Sequence, residues 1–239
     1  MIGTTDLDHN LYEDETRITP DEFDYLLEAA RHTFNGAKVT ADDVISTFSG
    51  LRPVINTHAP TPSKESRAHQ FWEEDGLVTI AGGKLTIFRV MAADALNFVS
   101  RRLPNEPKFY PHAPCFVHPK PLTRQSLNNP DWIMMAGRLG EDVNKFFRDS
   151  DPDLLKPINP MPEFWAELVW AAKNEAVVHL EDLLLRRVRM GLLIENGGQN
   201  QMEEIRRLVQ APLHWTDERW LAEVSQYENT WRENYFLPC

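Results

Sequence analysis

Gly82 and Gly83 are followed at once by Lys84, and this triplet can do chemistry that its neighbours cannot. Two adjacent glycines let the backbone take positive φ and approach a flat or charged ligand with no Cβ in the way. A helix opening just past them, near Leu85 or Thr86, would aim free N–H groups and the positive end of its dipole at whatever sits there. Lys84 adds a full charge. The plain alternative is a structural connection between a strand and a helix. Arg52, two residues after Gly50 and just before Pro53, is a second candidate, because a planar guanidinium binds carboxylate or phosphate through two parallel hydrogen bonds. Its alternative is an ion pair with one of the chain's many acids. Between the two lies a Pro-, Ser- and Thr-rich loop, 56–66, where His58, Lys64, Arg67 and His69 crowd cationic or titratable groups.

The elements that must position these groups are readable from hydrophobic period. Leu77, Val78, Thr79 and Ile80 form a short β-branched run closed by the diglycine, and Met91, Ala95, Phe98 and Val99 then recur at helical spacing, which predicts strand, tight turn, helix. Residues 44–55 alternate strictly, with Val44, Ser46, Phe48, Gly50 and Arg52 on one face, and predict a second strand that ends at Pro53. Residues 2–6 predict a third. Thr19-Pro20-Asp21-Glu22 predicts a helix start, with Thr19 as N-cap and Glu22 as its capping-box partner, running to Asn35-Gly36.

Six prolines between Pro104 and Pro121 exclude a helix or a central strand and place a boundary there. His112, Cys115 and His118 sit in that linker, but their spacing fits no zinc pattern and no metal site is expected. Beyond it the chain predicts helices. Trp132, Met135, Leu139, Val143 and Phe146 mark one, interrupted at Gly137 and Gly140. Residues 163–193 give a long helix or a broken pair, with Leu168, Ala172, Ala176, Leu180, Leu183 and Leu184 on its stripe. A third spans 201–209, and Thr216-Asp217-Glu218 opens a last one through Trp220, Val224 and Tyr227. These aromatics read as core. Arg186, Arg187 and Arg189 read as partners for acids such as Glu181 and Asp182, with anionic lipid or docking of a catalytic body as the alternative.

Composition narrows the class. The chain has 239 residues, 42% of them apolar and 26% charged, as in an ordinary globular protein, and its net charge of −11 disfavours a nucleic-acid partner. Two distant cysteines, Cys115 and Cys239, suit a reducing cytoplasm rather than a disulfide framework. No apolar run approaches the roughly 20 residues of a membrane span, so membrane contact would be peripheral. None of the eleven glycines makes the G-x-G-x-x-G turn that dinucleotide binding ordinarily needs.

Taken in order, Ile2-Gly3-Thr4-Thr5-Asp6, then Ser46-Thr47-Phe48-Ser49-Gly50-Leu51-Arg52-Pro53, then Gly82-Gly83-Lys84-Leu85-Thr86 with Phe88-Arg89 resemble the carboxyl-terminal part of FAD-dependent glycerol-3-phosphate dehydrogenase, of the glycine oxidase and D-amino-acid oxidase superfamily. The resemblance implies an α+β fold: an incomplete, largely antiparallel sheet with helices in a substrate and flavin-edge lobe (1–103), a Pro-rich linker (104–121) and an all-α carboxyl-terminal domain (122–239). It implies that an amino-terminal ADP-binding half is missing and that this chain alone is inactive. It implies oxidation of sn-glycerol 3-phosphate to dihydroxyacetone phosphate by hydride transfer to FAD, with electrons passed to quinone at the inner face of the membrane. Arg52 and Arg67 would grip the phosphate, Gly82, Gly83, Lys84, Leu85 and Thr86 would line the flavin edge, and Lys84 would touch substrate or flavin. Many relatives read Thr-Thr-Tyr-Arg where this chain has Thr86-Ile87-Phe88-Arg89. None of the eight histidines lies in a matching motif, so no general base is assigned. A related oxidase using oxygen and acting on glycerol 3-phosphate or an amine, or a non-catalytic interaction module, are the alternatives, and exposed apolar surface leaves a homodimer open.

Overall fold

The computed structural model describes residues 1–9, 16–36, 38–55, 64–103, 110, 113–115 and 129–238. They fall into two units, one drawn from 3–15 and 50–116, the other from 16–49 and 117–239. Residues 16–49 therefore pack with the helical remainder, although they precede the Pro-rich boundary in sequence.

The first unit is built on a hairpin and a helix. Strands β1 (Gln70–Glu74) and β2 (Leu77–Ala81) pair antiparallel, with Gln70 opposite Ala81 and Glu74 opposite Leu77. Only Asp75 and Gly76 connect them, at φ 48° and 85°, the two positive values that a tight type I′ hairpin turn requires and that Asp-Gly supplies. After Gly82 and Gly83 a 3₁₀ turn, Leu85–Ile87, leads into α2 (Phe88–Val99), as the period predicts. β1 and α2, with His69 just before the strand and Arg102 in the 3₁₀ turn just after the helix, are pinned by three matched contacts. His69 Nε2 meets Asp94 Oδ2 at 2.9 Å, Phe71 stacks on Phe98 at 5.1 Å and 12°, and Glu73 pairs with Arg102. The steps are two residues along the strand and four along the helix. Both advance about 6 to 7 Å, so one face of the strand stays in register with one face of the helix.

The expected strands at 2–6 and 44–55 are not strands. A strand exists only where its N–H and C=O groups pair with a neighbour, and among the described residues the sheet has two strands. Residues 46 and 47 spend their polar groups elsewhere in the second unit. Ser46 Oγ donates to Leu192 O at 2.8 Å, and Thr47 donates through its N–H to Tyr235 O at 2.8 Å and through Oγ1 to Phe236 O at 2.9 Å.

That second unit is helical. α1 (Pro20–Thr33) starts with the predicted capping box, Glu22 N–H donating to Thr19 Oγ1 and Thr19 N–H to Glu22 Oε2. α3 (Pro130–Leu139) stops at Gly140, where φ is 55°, and α4 (Val143–Asp149) resumes after one short turn. Of the two expectations for 163–193, the broken arrangement is found: α5 (Trp165–Asn174), a π-helical turn at Asp182–Arg187 and α6 (Met190–Leu193). The break has a polar cause: Asp182 Oδ2 accepts the N–H groups of Val178 and His179 at 3.0 and 2.9 Å, and buried Glu223 accepts that of Leu180 at 2.8 Å, so the chain restarts on side-chain caps. α7 (Met202–Val209) and α8 (Asp217–Asn234, capped by Thr216) complete the unit. Its main core gathers Leu168, Leu180, Leu183, Leu184, Ile205 and Tyr227, each at most 1% exposed, with burial stabilising by about 1.5–3 kcal/mol per large side chain. A smaller cluster centres on Met135, Phe146 and Trp170. The α+β class holds, with a small antiparallel sheet and a helical carboxyl-terminal body.

Candidate functional site

The diglycine turn is where close approach is required. Gly82 and Gly83 have φ 79° and 83°, so an L side chain at either is strained before any neighbour is considered. A Cβ at Gly82 would lie 2.6 Å from Ala68 O and 3.0 Å from Ile55 Cδ1, and one at Gly83 would lie 2.3 Å from Met91 Sδ. Gly82 thus lets the backbone at Ala68, next to Arg67, and the side chain of Ile55, three residues after Arg52, reach the turn, and Gly83 lets Met91 do so.

The outer side of the turn is open. Lys84, Leu85 and Thr86 are exposed, Leu85 at 89%. The N–H groups of Leu85 and Thr86 open the helical segment, and neither has a partner among the described residues. No side chain caps α2, which leaves the positive end of its dipole uncompensated locally. Arg67 is exposed, with no ion pair among the described residues. Arg52 donates through Nη1 to Asp6 Oδ2 at 2.7 Å, with the guanidinium side chain 44% exposed. This is the acid partner that its sequence context allowed. At that exposure it contributes at most about 1 kcal/mol. Arg89, from the same motif, donates to Tyr110 O at 2.8 Å and to the exposed Cys115 thiol.

The His69–Asp94 pair was not legible. Its signal is the match of His69, Phe71 and Glu73 at period two with Asp94, Phe98 and Arg102 at period four. His58 and the proposed linker histidines, His112 and His118, lie outside the described residues. Among the described residues no group of His, Cys, Asp or Glu could hold a metal ion.

The second unit carries a separate polar constellation. Arg138, from α3, donates to Glu163 Oε1 at 2.5 Å and to Glu167 Oε2 at 2.7 Å, and Glu167 also accepts the Phe164 N–H at 2.8 Å. Burial pushes the Glu167 carboxyl up, against the lowering effect of the Phe164 N–H and of Arg138. Burial works against the Arg138 charge, but the two carboxylates more than offset it and hold the guanidinium above its ordinary value. Of the three late arginines, Arg186 takes the expected partners, Glu181 at 2.9 Å and Asp182 at 2.8 Å, and Arg187 donates to Ala176 O at 3.1 Å. Arg189 takes a left-handed conformation, φ 58°, at the entry to α6.

Residues 123–220 match the C-terminal domain of alpha-glycerophosphate oxidase. The chain is 30% identical over 253 aligned residues to glycerol-3-phosphate dehydrogenase 2 of Mycobacterium bovis, an alignment covering 95% of this chain and 41% of that protein. It is 30% identical over 209 residues to the aerobic glycerol-3-phosphate dehydrogenase of Staphylococcus aureus, covering 78% of this chain and 37% of that one. The chain therefore spans about two fifths of the length of the curated relatives it matches. The crystal structure of glycerol-3-phosphate dehydrogenase from Bacillus halodurans, complexed with FAD, superimposes with a TM-score of 0.64 at 22% identity, covering 92% of this chain and 46% of that one. Among the described residues no helix is long and apolar enough to cross a membrane. Residues 123–220 are thus similar to the C-terminal domain of alpha-glycerophosphate oxidase, and the chain as a whole is similar to part of the glycerol-3-phosphate dehydrogenases.

Proposed function

We propose that this chain supplies the phosphate grip and the flavin-edge turn of an FAD-dependent glycerol-3-phosphate dehydrogenase, together with its helical carboxyl-terminal domain. The observation that carries the reading is the open diglycine turn. Its backbone N–H groups at Leu85 and Thr86 are unclaimed, Lys84 stands beside them, and Ala68, next to Arg67, and Ile55, three residues after Arg52, reach it. These groups fit the rim of a flavin, which is flat and gathers negative charge on reduction.

When bound, FAD would accept a hydride from the secondary carbon of sn-glycerol 3-phosphate, giving dihydroxyacetone phosphate, and pass the electrons on to quinone. The residues of this chain bind and orient. Arg52 and Arg67 would hold the phosphate by charge-assisted hydrogen bonds, Asp6 keeping the Arg52 fork aligned through Nη1. Gly82 and Gly83 let the turn pack closely on Ala68, Ile55 and Met91, while the N–H groups of Leu85 and Thr86 and the charge of Lys84 would stabilise negative charge on the open side. The portion of the dehydrogenases that this chain does not span would hold the rest of FAD and cover apolar side chains of the first unit such as Leu77 and Leu85, 69% and 89% exposed. Delivery to quinone would be by peripheral membrane contact.

The test is complementation. Supplying the unmatched amino-terminal portion of a relative in trans should restore dye reduction by glycerol 3-phosphate, and this chain alone should show none. In the restored enzyme Arg52→Ala should raise KM about thirtyfold or more, the equivalent of losing about 2 kcal/mol or more from a charged pair. A rise smaller than threefold removes Arg52 from the grip.

A further inference from the structure

Of the contacts between β1 and α2, the one made by His69 differs from the others. Phe71 on Phe98 and Glu73 with Arg102 start from residues of the strand and fix its register on the helix. His69 stands outside the ladder, whose last pair is Gln70 with Ala81. Its bond to Asp94 is therefore not needed for strand pairing, and what it secures is the segment that enters the strand, residues 66–69.

That segment is tied down on both sides of Arg67. Ala68 N–H donates back across Arg67 to Ser66 Oγ at 3.2 Å. Ala68 O packs so closely on Gly82 that a Cβ there would lie 2.6 Å away. His69 Nε2 meets Asp94 Oδ2 at 2.9 Å, and because a carboxylate oxygen accepts, the ring nitrogen is the donor. The imidazole side chain is only 15% exposed and meets the Phe71 ring at 5.6 Å and 89°, an edge contact that fixes its direction. Asp94 in turn follows Met91 by three residues on one face of α2, and Met91 Sδ occupies the space that a Cβ at Gly83 would need. The contacts close a ring, from Gly82 to Ala68, from His69 to Asp94, and back through Met91 to Gly83. No member of such a ring shifts alone.

We propose that His69 and Asp94 are a positioning pair: their hydrogen bond holds the segment carrying Arg67 against the diglycine turn. They act through Arg67 rather than on reacting atoms. The consequence for substrate rests on the dehydrogenase reading, whereas the placement of the segment does not.

Backbone amide order parameters of this chain read the placement. Asp94→Ala, at a 45% exposed position in a helix, should lower those of residues 66–69 from the rigid range, about 0.85, to about 0.6 or below and leave β1 and β2 rigid. His69→Leu should do the same, and His69→Gln, whose amide keeps a donor for Asp94, should restore the parent values. Unchanged values in Asp94→Ala, or an equal drop along β1, overturn the proposal. Kinetics of the restored enzyme read the consequence. Asp94→Ala should raise KM for glycerol 3-phosphate at least about fivefold with kcat within about twofold, and should leave KM unchanged in an Arg67→Ala background, where nothing remains to be positioned. A loss confined to kcat, or an effect of the same size in both backgrounds, refutes action through Arg67. If the unmodified halves together reduce no dye, the dehydrogenase reading fails, and the order parameters still decide whether the pair holds the segment.

Discussion

Replacing Arg138 by alanine would strip the guanidinium that bridges Glu163 and Glu167, whose side chains are 5% and 12% exposed. The arginine itself is 30% exposed, so little of the cost comes from its own packing. The damage lies in what it leaves: two buried carboxylates close together with no counter-charge. Breaking a buried ion pair by removing one partner costs about 3–5 kcal/mol, a large share of the roughly 5–15 kcal/mol that holds a domain folded. The sign of the pH dependence follows from linkage. Burial already raises Glu167, and without Arg138 it should rise further, so the native state of the variant binds protons more tightly than the unfolded state. Stability is then greatest below the unfolded value of 4.5 and is lost as pH rises through the folded value. Each extra native proton gives a slope of about 1.4 kcal/mol per pH unit. Urea unfolding followed by tryptophan fluorescence at pH 5 and pH 7.5 measures it, since Trp170 lines one pocket with Arg138, Glu163 and Glu167. The variant should lose at least 3 kcal/mol at pH 7.5, by the buried-pair estimate, and recover a substantial part of that at pH 5. A loss below about 1 kcal/mol, or one equal at the two pH values, would show that the triad is solvated and the reasoning wrong.

Gly82→Ala forces a Cβ to within 2.6 Å of Ala68 O at φ 79°; it should destabilise the first unit by more than about 1 kcal/mol in thermal melts, while Gly36→Ala, with positive φ but open space, should cost less. Asp182→Ala removes the acceptor for the Val178 and His179 N–H groups and should cost about 1–2 kcal/mol. Burial pushes the Asp182 carboxyl up, but those N–H groups and Arg186 outweigh it and hold it below 3.8. Its contribution is therefore present above that value and disappears as pH falls through the folded value, so variant and parent should converge in strong acid. Phe98→Ala breaks the central rung between β1 and α2 and should cost about 1–3 kcal/mol given its partial exposure, seen as faster amide exchange across β1 and β2 with α8 unaffected.

Local chemistry settled much of this protein before any packing was considered. Thr19, Pro20 and Glu22 satisfy the first N–H groups of α1 with atoms at most three residues away, and Thr216 does the same for α8, so those starts are written in the chain itself. The diglycine marks a turn because its positive φ favours glycine, and Leu180, Leu183 and Leu184 lie on the apolar stripe and are core, each 0% exposed. What the tertiary structure decided are the features that depend on a partner far away in sequence. Residues 44–55 alternate like a strand, but alternation does not provide a neighbouring strand, and the polar groups of Ser46 and Thr47 go to Leu192, Tyr235 and Phe236 instead. The sequence left open a long helix or a broken pair across 163–193, and the break falls between Asn174 and Asp182, where Glu223, 43 residues beyond Leu180, takes a backbone donor that continuing the helix would have used. Arg52 had two readings from its neighbours alone, and Asp6, 46 residues earlier, claims one end of it. Caps and turns act over three or four residues, whereas strand pairing, ion pairs and buried carboxylates are settled by which distant atoms the fold brings within hydrogen-bond reach.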